Sequence, residues 1–201
     1  MNSIHVSNIL DIIEDEDDAV IPEGLIFAQK LIKTFRCIKN AEIEHFLYNN
    51  AVDFARKRQA ITYFVLDDND DVIAYFSLTH KAVKIDGSRL SNTVCRGLDR
   101  HAEKDIDGSG YNASAFLIAQ FGRNSAYNGE IDFSGNELMA RSFKSLKAAQ
   151  HLVGGGIVYL ECEDEPHLLE FYANDANRFR EFSERDSKAE GIVYKQLLRL
   201  F

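Results

Sequence analysis

The sequence predicts an α/β (α+β) fold in a single domain over residues 1–201. Two β-rich runs, at 61–66 and 72–78, are joined by the polar segment DDNDD, which is the pattern of an antiparallel hairpin. From residue 115 an apolar run, a polar loop, an amphipathic helix pattern, a second apolar run and a Pro-started helix follow one another. This succession predicts β-loop-α-β-α, and no linker or repeat divides the chain.

Composition and charge limit the kind of protein that we expect. The hydrophobic fraction of 45% is that of a globular protein, and no apolar run is long enough to span a membrane. The N-terminal segment 1–20 is acidic and lacks the basic start of a signal peptide, so we expect a cytoplasmic protein. The net charge of -9 disfavours a large nucleic-acid-binding surface. Cys37, Cys95 and Cys162 are odd in number and widely spaced, which predicts reduced thiols and no metal site.

The first half of the chain contains one clear helix pattern and several polar stretches. The acidic run at 14–18 predicts an exposed turn. Residues 30–37 predict an extended element, whereas residues 41–58 carry apolar side chains at helical spacing and predict a helix. The polar, glycine-containing stretch 84–112 predicts a long loop, which is a candidate lid or substrate loop. Basic clusters at 56–58 and at Arg141, Lys144 and Lys147 predict solvated helix faces.

The second half begins with a strand, a loop and a helix. The apolar run 115–121 predicts a buried strand. Ser134 and Glu137 match a capping box, so a helix should begin near Gly135 and end at the glycines 154–156. Free N–H groups and the helix dipole at such a start bind phosphate, and the alternative is a plain strand-helix connection.

A strand, a helix and a closing strand should follow. The apolar run 157–160 passes into Glu161-Cys-Glu163, which begins to alternate as a half-exposed strand does. Pro166 suits the first position of the next helix, which carries Phe171 and Tyr172. Residues 191–201 predict a closing strand.

In this order, the elements resemble the GCN5-related N-acetyltransferase (GNAT) family over residues 34–200. ITYFVL at 61–66 and VIAYFSL at 72–78 are similar to the family's second and third strands, and LLEFY at 168–172 is similar to its FY motif. FRC at 35–37, followed by EHFL at 44–47 and then an alanine, resembles the family's toxin-like branch.

Two motifs depart from the family pattern. The phosphate loop normally reads Gln/Arg-x-x-Gly-x-Gly/Ala, but Glu130 and Phe133 stand at its first two defined positions and only Gly135 keeps the last. The FYxxxGF motif becomes FYANDANRF at 171–179, with two extra residues and no glycine.

The resemblance implies a mixed, mostly antiparallel central sheet that is splayed where acetyl-CoA, the co-substrate, binds. Backbone groups at 121–123 would bond the pantetheine arm, and N–H groups at 132–136 would take the pyrophosphate. It thereby assigns cofactor binding to eight residues: Phe121, Gly122, Arg123, Asp132, Phe133, Ser134, Gly135 and Asn136. The Arg123 side chain would add positive charge, unless it pairs with a carboxylate. The resemblance is also compatible with a homodimer.

The resemblance makes Tyr172 the candidate proton donor to the departing thiolate, the alternative being a core tyrosine. Glu161 and Glu163 share one face of their strand and are weaker candidates for the general base. The alternative for each is a structural or substrate-orienting carboxylate. Cys162 faces the other way, and we expect a small buried thiol there rather than a nucleophile.

Three functions remain open from the sequence. The first is an acetyl-CoA-dependent N-acetyltransferase that acts on a primary amine of a small molecule or protein, which the acidic charge suits. The second is a toxin-like acetyltransferase of aminoacyl-tRNA, which the residues at 35–51 favour and the charge disfavours. The third is a non-catalytic GNAT-like binding protein, which the irregular phosphate loop favours.

Overall fold

The computed structural model describes residues 3–187 and 191–201. Its elements follow in chain order: β1 (His5–Asn8), α1 (Ile9–Ile13), α2 (Pro22–Thr34), α3 (Ala41–Asn49), α4 (Ala51–Arg56), β2 (Ile61–Leu66), β3 (Val72–Asp86), a 3-10 turn (Gly87–Arg89), α5 (Asn92–Leu98), β4 (Ala102–Lys104), β5 (Gly110–Arg123), α6 (Gly135–Val153), β6 (Ile157–Glu163), α7 (Pro166–Ala173), β7 (Arg180–Ser187) and β8 (Ile192–Leu200). Within the described ranges, no helix is long and apolar enough to cross a membrane.

The chain divides into two compact units. The first unit comprises Met1–Thr79 and Ala119–Phe143, and the second comprises His80–Ile118 and Lys144–Phe201. The strands β3 and β5 and the helix α6 each contribute residues to both units. The single domain expected from the sequence therefore stays a prediction.

In the first unit the strands are hydrogen-bonded in the order β1-β2-β3-β5. The predicted hairpin is confirmed, because β2 and β3 pair antiparallel from Ile61 opposite Leu78 to Leu66 opposite Val72. Its turn is held by the buried side chain of Asp67, which accepts hydrogen bonds at 2.9 Å from the N–H groups of residues 69 and 71. The helices α1 to α4 contribute to one apolar core with β2 and β3.

The structure corrects the expected extended element at 30–37, most of which lies in helix α2. Pro22 occupies the first turn of this helix. Ala28, Leu31 and Ile32 are buried at spacings of three and four residues, so burial of one helical face decides the conformation. The helix expected at 41–58 is present but is broken between α3 and α4 at Asn50.

The acidic run at 14–18 forms the exposed turn that was expected, except at its first residue. The side chain of Glu14 is only 8% exposed and pairs with Arg58 at 2.8 Å, and Asp18 pairs with the same guanidinium at 3.0 Å. Arg58 is thus a partner of the acidic turn as well as part of a basic cluster.

In the second unit the strand order is β3-β5-β6-β8-β7, with β4 beside β5. The pairing of β5 with β6 is parallel and joins Phe116 to Val158 and Leu117 to Tyr159. The pairs β4-β5, β6-β8 and β7-β8 are antiparallel. The expected mixed, mostly antiparallel sheet is therefore confirmed, and the closing strand is β8.

The stretch 84–112 differs from the single long loop that was expected. It contains the end of β3, a 3-10 turn, the helix α5 and the strand β4 before β5 begins. Ser91 caps α5 by accepting a hydrogen bond from the Val94 N–H, and Leu98 is fully buried in the core of the second unit. This local order means that only the short connections between these elements are irregular.

Candidate functional site

The helix α6 begins as the capping box predicted. The Glu137 carboxylate accepts hydrogen bonds from the N–H and the hydroxyl of Ser134 at 2.7 and 2.8 Å. The N–H of Glu137 in turn donates to the Ser134 hydroxyl at 3.2 Å. These bonds from Ser134 hold the pKa of Glu137 below its ordinary value. A negative charge therefore stands at the start of α6, where the sequence resemblance predicts a pyrophosphate site.

Two arginines flank Phe133, the residue directly before this cap. Arg123 Nη1 donates to the Phe133 carbonyl at 2.7 Å, and the Arg141 guanidinium lies 5.8 Å from the centre of the Phe133 ring. Within residues 3–187 and 191–201 neither arginine forms an ion pair with a carboxylate, although the charge of Arg141 contributes to the lowered pKa of Glu137. The two guanidinium groups place positive charge at the start of α6, which suits an anionic group despite Glu137.

The remaining residues assigned to cofactor binding differ in exposure. Asp132, Ser134 and Asn136 are exposed, whereas Phe133 is 5% exposed. Gly122 is buried, and a Cβ atom there would lie 2.8 Å from Ile43 Cγ2. Its small size therefore has a packing reason in the first unit, whatever its role in binding.

Asn124 anchors the loop that follows β5, and no sequence pattern predicts this role. Its Nδ2 donates to the carbonyl of Val72 at 2.7 Å, and its Oδ1 accepts from the N–H of Arg36 at 2.9 Å. Further along, the Tyr127 hydroxyl donates to Asp67 at 3.0 Å. The long polar loop is thus bonded to distant parts of the first unit.

The residues at 35–51 that resemble the toxin-like branch also lie in the first unit. Phe35 is fully buried and meets the Tyr75 ring edge-on at 4.9 Å, and Leu47 and Ala51 are fully buried. The Glu44 carboxylate accepts from the Cys37 N–H at 2.9 Å. These side chains contribute to the core and to the start of α3.

In the second unit, Tyr172 lies near the end of α7. It is 8% exposed, and its ring meets those of Phe171 and Phe179 edge-on at 5.0 and 6.0 Å. Burial, followed by the nearby Cys162, raises the pKa of Tyr172 above its ordinary value. The phenol is therefore protonated at neutral pH, and burial makes it a weaker acid than an exposed tyrosine.

Arg178 stands at the position of the glycine that is missing from the FY motif. Arg178 directly precedes Phe179, as the glycine precedes the last phenylalanine of the family motif, and it has a φ of 59°. This left-handed conformation is one that glycine adopts without steric cost. Arg178 thus has a backbone conformation that usually favours glycine.

Glu161 is engaged by two partners. Its Oε2 accepts from Nε and Nη2 of Arg185 at 3.0 and 2.8 Å, and its Oε1 accepts from Gln196 at 2.7 Å. Burial raises the pKa of Glu161, but hydrogen bonds from Arg185 and Gln196 outweigh it, so that the pKa lies below its ordinary value. A carboxylate held in this way is a weak base, which favours the structural alternative.

The neighbours of Glu161 follow the predicted alternation. Cys162 is buried, and that burial, with the nearby carboxylates led by Asp164, raises the pKa of its thiol to about 12. It is a neutral thiol, as expected. Glu163 is half-buried at the end of β6.

An open pocket of about 750 Å³ lies in the second unit. Seven of its lining residues have polar side chains: Lys84, Asp99, Arg100, His101, Glu103, Asn112 and Ser114. Both signs of charge line it, so its electrostatics do not select one class of ligand. In the described part of the chain, no three or more His, Cys, Asp and Glu side chains are grouped to hold a metal ion.

Comparisons with known proteins find similarity of fold. No protein-family model matches the chain, and no curated protein matches it. A structure described as AtaT complexed with acetyl-methionyl-tRNAfMet has a TM-score of 0.60 at 13% identity, covering 96% of this chain and 94% of that one. A tyrosine-to-phenylalanine mutant of the toxin AtaT, bound to the C-terminus of the antitoxin AtaR and acetyl-CoA, has a TM-score of 0.56 at 14% identity, covering 98% and 93%.

A third similar structure is that of a tyrosine-to-phenylalanine mutant of KacT. It has a TM-score of 0.61 at 15% identity and covers 95% of this chain and 93% of that one. At these identities the likenesses show that the chain has the fold of these proteins, which confirms the expected GNAT-like fold.

Proposed function

We propose that the chain is an acetyl-CoA-dependent N-acetyltransferase that acts on a primary amine of a small molecule or protein. The observation that carries this proposal is the shared fold, over 98% of this chain, with a structure that contains acetyl-CoA. The place of Tyr172 near the end of α7 supports it, because the resemblance to the FY motif assigns the proton donor to that position.

The reaction needs one bond formed, one broken and two protons moved. The amine nitrogen attacks the thioester carbonyl carbon, and the carbon-sulfur bond then breaks. Tyr172 donates its phenolic proton to the departing sulfur, and a base accepts the proton that the amine nitrogen loses. Since Arg185 and Gln196 engage Glu161, we assign it an orienting role. Glu163, on the same face of β6, is the other candidate base, acting directly or through water.

The first unit would hold the cofactor. We propose that backbone groups of Phe121, Gly122 and Arg123 bond the pantetheine arm. The N–H groups of residues 132–136 and the guanidinium of Arg123 would hold the pyrophosphate, with the helix dipole of α6 adding to the attraction. Arg123 already lies beside this helix start, since it donates to the Phe133 carbonyl.

Aminoacyl-tRNA is the second candidate acceptor. It is favoured by the similarity in fold to AtaT complexed with acetyl-methionyl-tRNAfMet, with a TM-score of 0.60. The α-amino group of an aminoacyl-tRNA is a primary amine, so the same chemistry would serve. The net charge of -9 argues against a large tRNA surface and makes this acceptor the alternative.

Calorimetric titration with acetyl-CoA, followed by a transfer assay with radiolabelled acetyl-CoA, tests the proposal. Three acceptors are compared: spermidine, a lysine-rich peptide and total aminoacyl-tRNA. Saturable binding with transfer to spermidine or the peptide supports the first acceptor class, and transfer to aminoacyl-tRNA alone supports the second. Binding without transfer to any of the three would refute both and favour a non-catalytic binding protein.

A further inference from the structure

The loop at residues 174–179 bonds to the backbone on which Tyr172 stands. Phe171 and Tyr172 lie in the last turn of α7, where carbonyl groups have no partner within the helix. The side-chain Nδ2 of Asn177 donates to the Phe171 carbonyl at 2.7 Å, and the N–H of Phe179 donates to the Tyr172 carbonyl at 2.9 Å. The loop therefore satisfies both carbonyls of the FY pair.

Asn177 itself is fixed from two directions. It is 1% exposed, and the side-chain Oδ1 of Asn174 accepts from its N–H at 2.9 Å. Arg199 Nη1, from β8, donates to the Asn177 carbonyl at 2.8 Å. A buried amide that is bonded through its backbone and its side chain has little freedom to move.

The same loop also fixes the surroundings of the Tyr172 ring. The rings of Phe171 and Phe179 meet that ring edge-on at 5.0 and 6.0 Å. Asn177 bonds the backbone of one of these phenylalanines and lies two residues before the other. A shift of Asn177 would therefore disturb the two rings that pack against the Tyr172 ring.

We propose that Asn177 is a positioning residue for Tyr172, acting through the Phe171 carbonyl and the loop. This inference rests on the proposed acetyl transfer, in which the phenol must lie within hydrogen-bond reach of the departing sulfur. Small displacements of a catalytic group lower turnover strongly, whereas they leave remote cofactor contacts unchanged. Asn177 thus affects kcat rather than the affinity for acetyl-CoA.

Asn177→Asp tests the proposal, because it keeps the shape of the side chain and removes its N–H donor. We expect kcat to fall about tenfold with the better acceptor of the assay above, while the Kd of acetyl-CoA changes by less than about twofold. In the Tyr172→Phe background the same substitution should lower kcat by less than about twofold further. A merely structural role would lower kcat equally in both backgrounds and would overturn the proposal.

Two further variants keep the test decisive. Asp175→Ala changes an exposed side chain of the same loop and should leave kcat unchanged. Arg199→Lys loosens the loop from the β8 side and should lower kcat by a smaller factor, again only when Tyr172 is present. This variant serves if Asn177→Asp fails to fold, and an unchanged kcat in folded Arg199→Lys would then count against the proposal.

The outcomes separate this inference from the proposed function. If Tyr172→Phe retains full kcat, or if the wild-type chain transfers no acetyl group, the proposed function fails and the positioning role fails with it. If Tyr172→Phe lowers kcat but the loss caused by Asn177→Asp is absent or additive, only the positioning role is overturned.

Discussion

Tyr172→Phe isolates the proposed proton donor, because it removes the phenolic oxygen and keeps the ring. The ring is 8% exposed and packs edge-on against Phe171 and Phe179, so the variant should fold normally. General acid catalysis contributes about 10²- to 10⁴-fold. A thiol of ordinary pKa near 8.5 is, however, a good leaving group even without a proton donor. We therefore expect kcat to fall by at least about tenfold but by no more than about 10²-fold. A tenfold decrease corresponds to about 1.4 kcal/mol of activation free energy.

The assay combines steady-state kinetics, read from the release of the CoA thiol, with calorimetry for the Kd of acetyl-CoA. The Kd should stay nearly unchanged, because the phenol is assigned to the departing sulfur only. Tyr159→Phe is the matched control, since Tyr159 is also buried in the second unit and burial, with nearby Glu161, raises its pKa to about 12. Its kcat should equal that of the wild type. Equal kcat in Tyr172→Phe and the wild type would remove Tyr172 from the mechanism.

Three further predictions concern the cofactor loop, the packing of β5 and the pH dependence of stability. Gly135→Glu adds negative charge at the proposed pyrophosphate site and should weaken acetyl-CoA binding in calorimetry by about tenfold or more; an unaltered Kd would move that site elsewhere. Gly122→Ala should lower the free energy of unfolding in urea by about 1–3 kcal/mol, because the new Cβ would meet Ile43 Cγ2 at 2.8 Å. The double variant Gly122→Ala/Ile43→Ala should lose less free energy of unfolding than the two single variants lose together. If the two losses simply add, the clash with Ile43 is not the cause. The folded-state pKa of Glu161 lies below its ordinary value of 4.5, so its contribution to stability is present above that value and is lost as the pH falls through the lower, folded-state pKa. The melting temperature of Glu161→Gln should therefore approach that of the wild type in acid. If the difference in melting temperature does not change with pH, the ion pair with Arg185 is not the source of that difference.

The parts of the fold that could be predicted are those whose causes lie close together in the sequence. Ser134 and Glu137 are three residues apart, and their reciprocal bonds define the start of α6 at Gly135, as expected. The helix ends at Val153 because Gly154 and the next residue have φ angles of 78° and 102°. In both cases the residues that determine the end of the helix lie within a short stretch of sequence.

The parts that could not be predicted depend on partners far along the chain. Asn124 bonds to residues 36 and 72, and Tyr127 bonds to Asp67, so neither anchor shows in the local sequence pattern. The wrong extended element at 30–37 has the same origin. Leu31 and Ile32 fit either conformation locally, and their burial in the core of the first unit decides for the helix. Strand β7 was missed because REFSERDS has only one fully buried side chain, Phe182.

The two departures from the family motifs concern different properties of the chain. One concerns backbone conformation, and the other concerns space and charge at the proposed pyrophosphate site. At residues 171–179 Arg178 stands at the position of the missing glycine, and its φ of 59° is a backbone conformation that glycine adopts without steric cost. At Phe133 the backbone is not left-handed, and the loss is one of space for a phosphate to approach the backbone closely. Arg123 at the Phe133 carbonyl and Arg141 over its ring add positive charge there. If charge has replaced close backbone approach, acetyl-CoA affinity should depend strongly on salt, and a weak salt dependence would argue that backbone donors still hold the pyrophosphate.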